Sequence, residues 1–411
     1  MRRAARTSSV AIALATALGI TACGGSGGAG VAADAEQTLT VWAMGTEGEK
    51  LGEVAKEYEK GHKNLTVKVT PIGWDVAHQK LVSAAAAGKL PDVMQLGSGY
   101  MGEFASLGAL EPVDTKTFKK KDFFPASWTE YEGESYGVPW YAETRVLFYR
   151  TDLAKKAGIK KAPATWKELR EAAAAYQEKA GTKWGISLQP RGLDTVQSWW
   201  PFLYSAGGDV LKDGRTDLDS PQVVKALKEY GSYFDKGLAR KSVTPGYDVV
   251  KDFGNGSVPM FLGGPWQTSL IAEDQPGLKG KWAAAPVPKD VTSRAQMGGS
   301  SLAISKDSEH KAAAKKFIKH LTDARGQKDW FERTNDLPAN PSAWESGPLA
   351  RKPDWKVFRE QLETAKPSPA QPKWTEITSK VDTAIESVTQ GKSSAEKAAK
   401  KMQSEASGLV E

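Results

Sequence analysis

Five tryptophans lie beside proline, glycine or polar residues, at positions where the sequence favours loops. They are Trp140, Trp199, Trp200, Trp266 and Trp374. An indole face stacks on the C–H face of a sugar ring, while neighbouring amides and carboxylates bind the sugar hydroxyls. Any one of these tryptophans is also consistent with a place in the core. As a group, in a chain whose N-terminus has the pattern of an export signal, they favour a carbohydrate ligand.

Residue patterns for catalysis or metal binding are sparse. The four histidines, His62, His78, His310 and His320, form neither H-x-x-x-H nor H-E-x-x-H. The single cysteine excludes an internal disulfide and a multi-cysteine metal centre. We therefore expect no metal and no cofactor. Carboxylates are abundant, so a glycosidase-type pair of acids stays open, because such a pair is defined by its separation in space.

Two glycine motifs match known patterns only by their letters. Residues 97–102 spell G-x-G-x-x-G, but they follow the third predicted strand of their unit and not the first, as a dinucleotide site requires. We interpret this turn as a place where a small ligand approaches the backbone. Residues 24–28 spell G-x-S-x-G with no strand before them and no helix after them.

The elements that must position these residues alternate between strands and helices. Apolar residues predict strands at Leu39–Trp42, Leu65–Val69 and Pro91–Leu96. Between them, Leu51 to Tyr58 and Leu81 to Ala85 show the spacing of amphipathic helices. The order β-α-β-α-β favours a parallel sheet covered by helices.

The rest of the chain is predominantly helical in pattern. Thr165 and Glu168 form a capping box before a helix, and Ser393–Glu396 cap the last one. Further helices carry apolar faces at 313–321 and 377–388. No internal repeat is visible. The strand and helix patterns together predict an α/β body with a helical C-terminal part.

The N-terminus has the pattern of an export signal. Arg2, Arg3 and Arg6 precede an apolar run, Val10–Ile20, which is about half the length needed to span a bilayer. Residues 20–23, Ile-Thr-Ala-Cys, resemble a bacterial lipobox, in which Cys23 becomes the lipidated N-terminus. The alternative is a free cysteine after an ordinary signal peptide. The glycine-rich residues 24–30 suit a flexible tether.

Composition places the chain among ordinary globular proteins. It is 40% hydrophobic and 26% charged, as is usual for such proteins. Its length of 411 residues predicts two or three domains. The formal net charge is +7, but the lysines are scattered over helix patterns without interleaved aromatic residues. We therefore expect no nucleic-acid partner.

Several segments resemble the extracellular solute-binding proteins of bacterial ABC sugar importers, of the maltose- and trehalose-binding type. The likeness covers almost the whole chain after the signal, in order. It is carried by residues 39–42, 87–93, 137–145, 264–266, 298–304, 337–338 and 391–396.

The resemblance implies a type II periplasmic-binding-protein fold, with two α/β lobes and a ligand cleft between them. The implied division is a signal peptide at 1–22 and a lipid-anchored tether at 23–37. Lobe one would comprise 38–142 and 296–343, and lobe two 143–295 and 344–411. The chain would pass between the lobes more than once.

The resemblance also assigns ligand-binding roles to particular residues. Glu47 would bind hydroxyls, Tyr141 and Glu143 would form an aromatic–carboxylate pair beside Arg145, and Trp266 would stack on a sugar. The same site would include Gly97 and Ser98, a backbone-donating turn at Gly299 and Ser300, and Trp199, Trp200 and Trp374. Many relatives have Asp at the position of Ser98.

The implied function is capture of a di- or oligosaccharide by a lipid-anchored monomer on the outer face of the cytoplasmic membrane. Delivery to the membrane subunits of an ABC importer would follow, with no enzymatic step. Two alternatives stay open: an exported glycoside hydrolase, and a binding protein for another solute such as a phosphoglycerol or a polyamine. A phosphate ligand would require several convergent cations, and a polyamine would require an acidic cage.

Overall fold

The computed structural model describes residues 36–192, 195–244 and 247–410. The predicted signal peptide, Cys23 and the predicted tether up to residue 35 lie outside these ranges. Within them, no helix is long and apolar enough to cross a bilayer.

The strands are short, and most belong to two sheets. They are β1 (Gln37–Met44), β2 (Leu65–Ile72), β3 (Val93–Gly97), β4 (Glu130–Tyr131), β5 (Glu134–Ser135), β6 (Val138–Glu143), β7 (Val146–Arg150), β8 (Leu211–Lys212), β9 (Arg215–Thr216), β10 (Met260–Gly263), β11 (Trp282–Ala285), β12 (Gln296–Ile304), β13 (Leu337–Pro338) and β14 (Lys366–Pro367).

The helices cover the sheets and make up most of the C-terminal part. They are α1 (Gly45–Glu59), α2 (Trp74–Ala86), α3 (Met101–Ser106), α4 (Thr151–Ala157), α5 (Trp166–Ala180), α6 (Val196–Ser205), α7 (Pro221–Asp235), α8 (Val249–Asn255), α9 (Trp266–Asp274), α10 (Lys311–Thr322), α11 (Ala324–Thr334), α12 (Gly347–Arg351), α13 (Pro353–Glu363), α14 (Trp374–Thr389) and α15 (Ala395–Ala406).

The larger sheet has the strand order β13-β6-β12-β3-β1-β2, and β14 pairs with β12. Strand β1 lies between β2 and β3 and runs parallel to both, which confirms the predicted β-α-β-α-β unit. Strand β12 enters antiparallel between β3 and β6. Gln37, assigned from the sequence to the tether, already belongs to β1, where it pairs with Leu65.

Local capping signals act as the sequence predicts. The Thr165 side chain accepts a hydrogen bond from the Glu168 backbone N–H at the start of α5. Ser394 accepts one from the Lys397 N–H at the start of α15. Each satisfies one of the N–H groups that a helix start leaves unpaired. Both predicted caps are therefore confirmed.

The second sheet is antiparallel, with the order β10-β7-β11. A hydrophobic core of helices α5, α6, α7, α14 and α15 packs beside it. A second core covers the larger sheet and continues onto the smaller one at Val146, Phe148 and Phe261, and a third lies between the larger sheet and α2 and α3. The α/β class predicted from the sequence is confirmed.

The chain passes from the larger sheet to the smaller one within two residues. Strand β6 ends at Glu143 and β7 begins at Val146. The return passage, from β11 to β12, lies alongside: Thr144 Oγ1 donates to the Gln296 carbonyl at 3.0 Å, and Glu143 is in register with Gly298. This crossing places Glu143 and Arg145 between the two sheets.

Candidate functional site

A buried carboxylate stands at the carboxyl end of the parallel strands. Glu47 lies in the first turn of α1, directly after β1, and is only 9% exposed. The Tyr141 hydroxyl donates to Glu47 Oε1 at 2.5 Å. Burial raises the pKa of Glu47, and the nearby charge of Glu143 raises it further, while the Tyr141 hydrogen bond opposes both. The Tyr141 hydrogen bond therefore holds this carboxylate in a position where burial disfavours its charged form.

Tyr141 is the centre of a buried hydrogen-bond network that joins four strands. Its hydroxyl accepts from Gln95 Nε2 at 3.2 Å and from Ser300 Oγ at 3.0 Å. Gln95 Nε2 also donates to Ser300 Oγ, and Gln95 Oε1 accepts from the Met44 N–H at 2.7 Å. Burial raises the pKa of Tyr141 well above its ordinary value, so the phenol keeps its proton and remains a donor to Glu47.

A second charged group occupies the crossing between the sheets. Arg145 Nη1 lies 3.6 Å from Glu143 Oε1, an ion pair too long to be a hydrogen bond. The Arg145 guanidinium also lies 4.6 Å from the ring centroid of Trp266. Nη1 is buried and has no hydrogen-bond partner among the described residues. It is therefore a donor that no described residue satisfies.

Trp266 begins α9, where the sequence Gly264–Pro265 brings its ring close to the backbone. A Cβ placed on Gly264 would lie 2.0 Å from Cζ3 of that ring, so only glycine fits there. Trp266 and Arg145 line a cavity of about 410 Å³, a volume within the usual range of small-molecule sites. The remaining lining residues are Ser187, Leu188, Gln189, Gln197, Ser198, Val243, Thr244, Tyr247, Val249, Phe261, Leu262, Gly263 and Gln267.

Sequence reasoning missed several of the polar residues here. Asp336 accepts from Trp330 Nε1 at 2.9 Å, and its pKa is raised well above the ordinary value by burial and then by the charge of Glu47. Gln267 Oε1 is buried in the cavity wall with no partner in the described part of the chain. Asp336 precedes the Leu337–Pro338 motif, and Gln267 follows Trp266, so proximity to the motifs was the one available signal.

Gly97, Ser98, Gly299 and Ser300 meet, although not as a turn. Gly299 and Ser300 lie inside β12, so the expected backbone-donating turn is wrong. The Gly299 carbonyl accepts from the Ser98 N–H at 3.1 Å. Gly299 has φ +110°, and a Cβ there would lie 2.2 Å from the Tyr141 carbonyl oxygen. Glycine is required because β12 and β6 approach too closely for a side chain.

Most of the tryptophans read from the sequence as loop residues are buried in regular elements. Trp140 lies in β6, and Trp199 and Trp200 lie in α6, each with at most 1% of its surface exposed. Trp374 begins α14, is 5% exposed and stacks on Trp200 with centroids 6.0 Å apart. The loop assignment of Trp140, Trp199 and Trp200 was wrong, because flanking polar residues do not reveal which face of an element is buried.

Trp374 packs against the glycine motif at residues 97–102, which follows β3. A Cβ on Gly99 would lie 3.0 Å from Cδ1 of Trp374, and one on Gly102 would lie 2.4 Å from the backbone of Ala370. Ser98 Oγ lies 3.1 Å from Ser368 Oγ in the same returning segment. The motif therefore lets residues 368–374 pack against β3 and α3.

The chain is similar in sequence to known binding proteins. The chain is 30% identical over 356 residues to a putative binding protein of Brucella abortus (strain 2308), covering 83% of this chain and 84% of the relative. It is 26% identical over 402 residues to the maltodextrin-binding protein MdxE of Bacillus subtilis (strain 168), covering 93% and 92%.

The fold matches a solved sugar-binding structure. The sugar-binding protein MalE of Xanthomonas citri superimposes with a TM-score of 0.84 at 33% identity, over 91% of this chain and 97% of that one. This confirms the predicted two-lobed, type II periplasmic-binding-protein fold. The family model for bacterial extracellular solute-binding proteins matches residues 43–328. The chain therefore belongs to the bacterial extracellular solute-binding protein family.

Proposed function

We propose that the protein captures a di- or oligosaccharide in its cleft and delivers it to an ABC importer, without chemical change. The observation that carries this proposal is the group at the crossing of the two sheets. Glu143, Arg145 and Trp266 combine an acceptor, an unsatisfied donor and an aromatic ring beside a cavity. A sugar offers the complementary set, with hydroxyls that donate and accept and a C–H face that stacks.

The lobe boundaries belong to the same proposal. Lobe one would comprise residues 38–142 and 296–343, and lobe two residues 143–295 and 344–411. The end of β6 at Glu143 and the start of β12 at Gln296 support these limits. Ligand binding would draw the lobes together about these crossings.

A hydrolase is the second candidate, because one observation favours it. Glu47 has a raised pKa, which is the property of a general acid in glycosidases. If the protein is a transport component instead, the Glu47 carboxylate accepts hydrogen bonds from sugar hydroxyls. The similar proteins named above are described as binding proteins.

Phosphorylated or polyamine ligands fit the residues less well. Arg145 is the one cationic side chain among the described residues that line the cavity beside Trp266. A phosphate group is usually held by several convergent cations or backbone N–H groups. The site does contain Glu47 and Glu143, but Tyr141 already donates a hydrogen bond to Glu47 and Arg145 is ion-paired with Glu143, so the two carboxylates do not form an acidic cage for a polyamine.

A sugar panel tests the function directly. The purified protein is melted with maltose, maltotriose, trehalose, lactose and their monosaccharides, and hits are measured by calorimetry. A ligand bound only by the folded state raises Tm, by an amount that grows with its concentration over Kd. We expect at least one di- or oligosaccharide to raise Tm and be recovered intact. A panel with no hit, or released product sugars, contradicts the proposal.

Trp266→Ala should lose most of the sugar affinity without destabilising the ligand-free protein. Truncating a stacking aromatic in a ligand site costs about 2 kcal/mol, or about thirtyfold in Kd. Trp184→Ala is the matched control, since Trp184 also lies near a guanidinium, that of Arg240 at 5.8 Å, but not in the cavity lining. Calorimetry with the tightest panel sugar decides. Equal affinity in the two variants would make Trp266 a structural residue.

Glu143→Gln separates binding from catalysis. It keeps the shape but removes the charge, so a binding protein should lose roughly 1.5–3 kcal/mol of sugar affinity. Glu111→Gln is the control, because Glu111 is ion-paired to Lys311 and its side chain has the same 26% exposure as that of Glu143. Calorimetry and product analysis are run together. Turnover by wild type that disappears in Glu143→Gln, with binding retained, would establish the hydrolase instead.

We also propose that lipid on Cys23 anchors the protein to the outer face of the cytoplasmic membrane as a monomer. The support is the sequence Ile-Thr-Ala-Cys at residues 20–23 after a signal-like run. Cys23→Ser should abolish incorporation of labelled fatty acid and release the protein or leave its precursor uncleaved. Ser26→Ala should label normally. Labelling of the Cys23→Ser protein would disprove the anchor.

A further inference from the structure

One aromatic side chain near Glu47 is exposed instead of buried. Trp74, the first residue of α2, has 41% of its surface accessible. No other Trp, Tyr or Phe in the described ranges is as exposed. Exposing an indole forgoes the free energy of burying it, so its position calls for a physical reason.

The indole is held by two glycines at the carboxyl ends of parallel strands. A Cβ on Gly45, after β1, would lie 2.7 Å from Cδ1 and Nε1 of Trp74. A Cβ on Gly97, at the end of β3, would lie 3.6 Å from Cζ3 and 3.9 Å from Cη2. The ring therefore spans the two turns, with its pyrrole edge on one and its benzene edge on the other. A side chain at residue 45 would displace it.

The same place brings the ring close to the buried carboxylate. The Cβ position on Gly45 that lies 2.7 Å from the Trp74 ring also lies 3.2 Å from Glu47 Oε2. Trp74 and Glu47 therefore flank one point, with the exposed ring on the outer side and the 9%-exposed carboxylate on the inner side.

The helix that carries Trp74 is fixed one turn further on. His78 Nε2 lies 2.6 Å from Glu103 Oε2 on α3, and the His78 ring lies 4.9 Å from that of Tyr100. Tyr100 in turn contacts the Gly97 position, with Cδ2 3.8 Å from a Cβ placed there. These contacts attach the start of α2 to the loop after β3, so the ring needs little ordering when a ligand binds.

We propose that Trp74 is a ligand-binding residue on the rim of the cleft, where its exposed face stacks on an outer ring of an oligosaccharide. This inference rests on the proposed sugar-binding function. An inner sugar unit would contact Glu47 and Tyr141, and the next unit outward would lie on Trp74. The residue would then select for length, because a disaccharide gains less from the rim than a trisaccharide does.

The first test needs no variant. The wild-type protein is oxidised briefly with N-bromosuccinimide, with and without saturating maltotriose, or the tightest panel trisaccharide if maltotriose does not bind. Peptide mass spectrometry then reads each tryptophan. We expect Trp74 to react first without sugar and to be protected with it. Equal oxidation of Trp74 in both samples, while the sugar is bound, would overturn the proposal and leave the exposed ring as a surface for a protein partner.

The second test measures length dependence. Trp74→Ala should weaken trisaccharide binding about tenfold and the matching disaccharide less, since a ring stack contributes about one factor of ten in affinity. Trp74→Phe should restore most of the loss. Val76→Ala, 51% exposed on the same helix, is the control and should bind normally. If the wild-type protein binds sugar and Trp74→Ala binds it with the same affinity, the inference about Trp74 is wrong but the proposed function stands. If the wild-type protein binds no sugar, the proposed function itself is wrong.

Discussion

The carboxylate of Glu47 is the constraint around which the site is organised. A charge this deeply buried is unfavourable unless hydrogen bonds compensate it. The compensation comes from Tyr141, which is itself held by Gln95 and Ser300. These residues lie on three different strands, far apart in the sequence. The polar site therefore exists only when β3, β6 and β12 are assembled around the end of β1.

Close approach of backbone and indole is the second organising feature. Gly45, Gly97 and Gly99 each lie against a tryptophan ring, Trp74 on one side of the loop and Trp374 on the other. The loop after β3 is therefore enclosed by two aromatic rings, and Trp374 continues inward to stack on Trp200. The glycines that match the nucleotide-binding motif therefore allow tight packing, because a ring or backbone atoms occupy the space that a Cβ would need.

Local patterns in the sequence predict the local parts of the fold. The periodicity of Leu51 and Tyr58, the alternation in β2 and the cap at Thr165 each depend on residues within one element, and each is confirmed. Trp199 and Trp200 show the limit, because their burial depends on α14, which is distant in the sequence. Gln95 was missed for the same reason, since its partner Tyr141 lies on another strand. Asp336 was missed because Glu47, whose charge raises its pKa, lies on a distant helix.

The resemblance to a family supplied what local patterns could not, but only at motif positions. It assigned Glu47, Tyr141 and Ser300 to one ligand site, and hydrogen bonds join the three side chains. It paired Tyr141 with Glu143, whereas the Tyr141 hydroxyl donates to Glu47. Alternation explains the outcome: Tyr141 and Glu143 share one face of β6, and α1 brings Glu47 to the nearer of the two. A motif identifies which residues are present, but their hydrogen-bond partners depend on how other helices and strands pack around them.

The charges at the crossing support the proposed hydroxyl-rich ligand. Ionised Glu143 can only accept hydrogen bonds, and Arg145 can only donate them. At 3.6 Å the two do not satisfy each other, and Trp266 holds the guanidinium in place. A hydroxyl can donate to the carboxylate while it accepts from the guanidinium, so one sugar position can satisfy both. An apolar ligand would leave both groups desolvated and unpaired, and an anion would satisfy Arg145 while opposing Glu143. The geometry thus discriminates by hydrogen-bonding capacity before shape is considered.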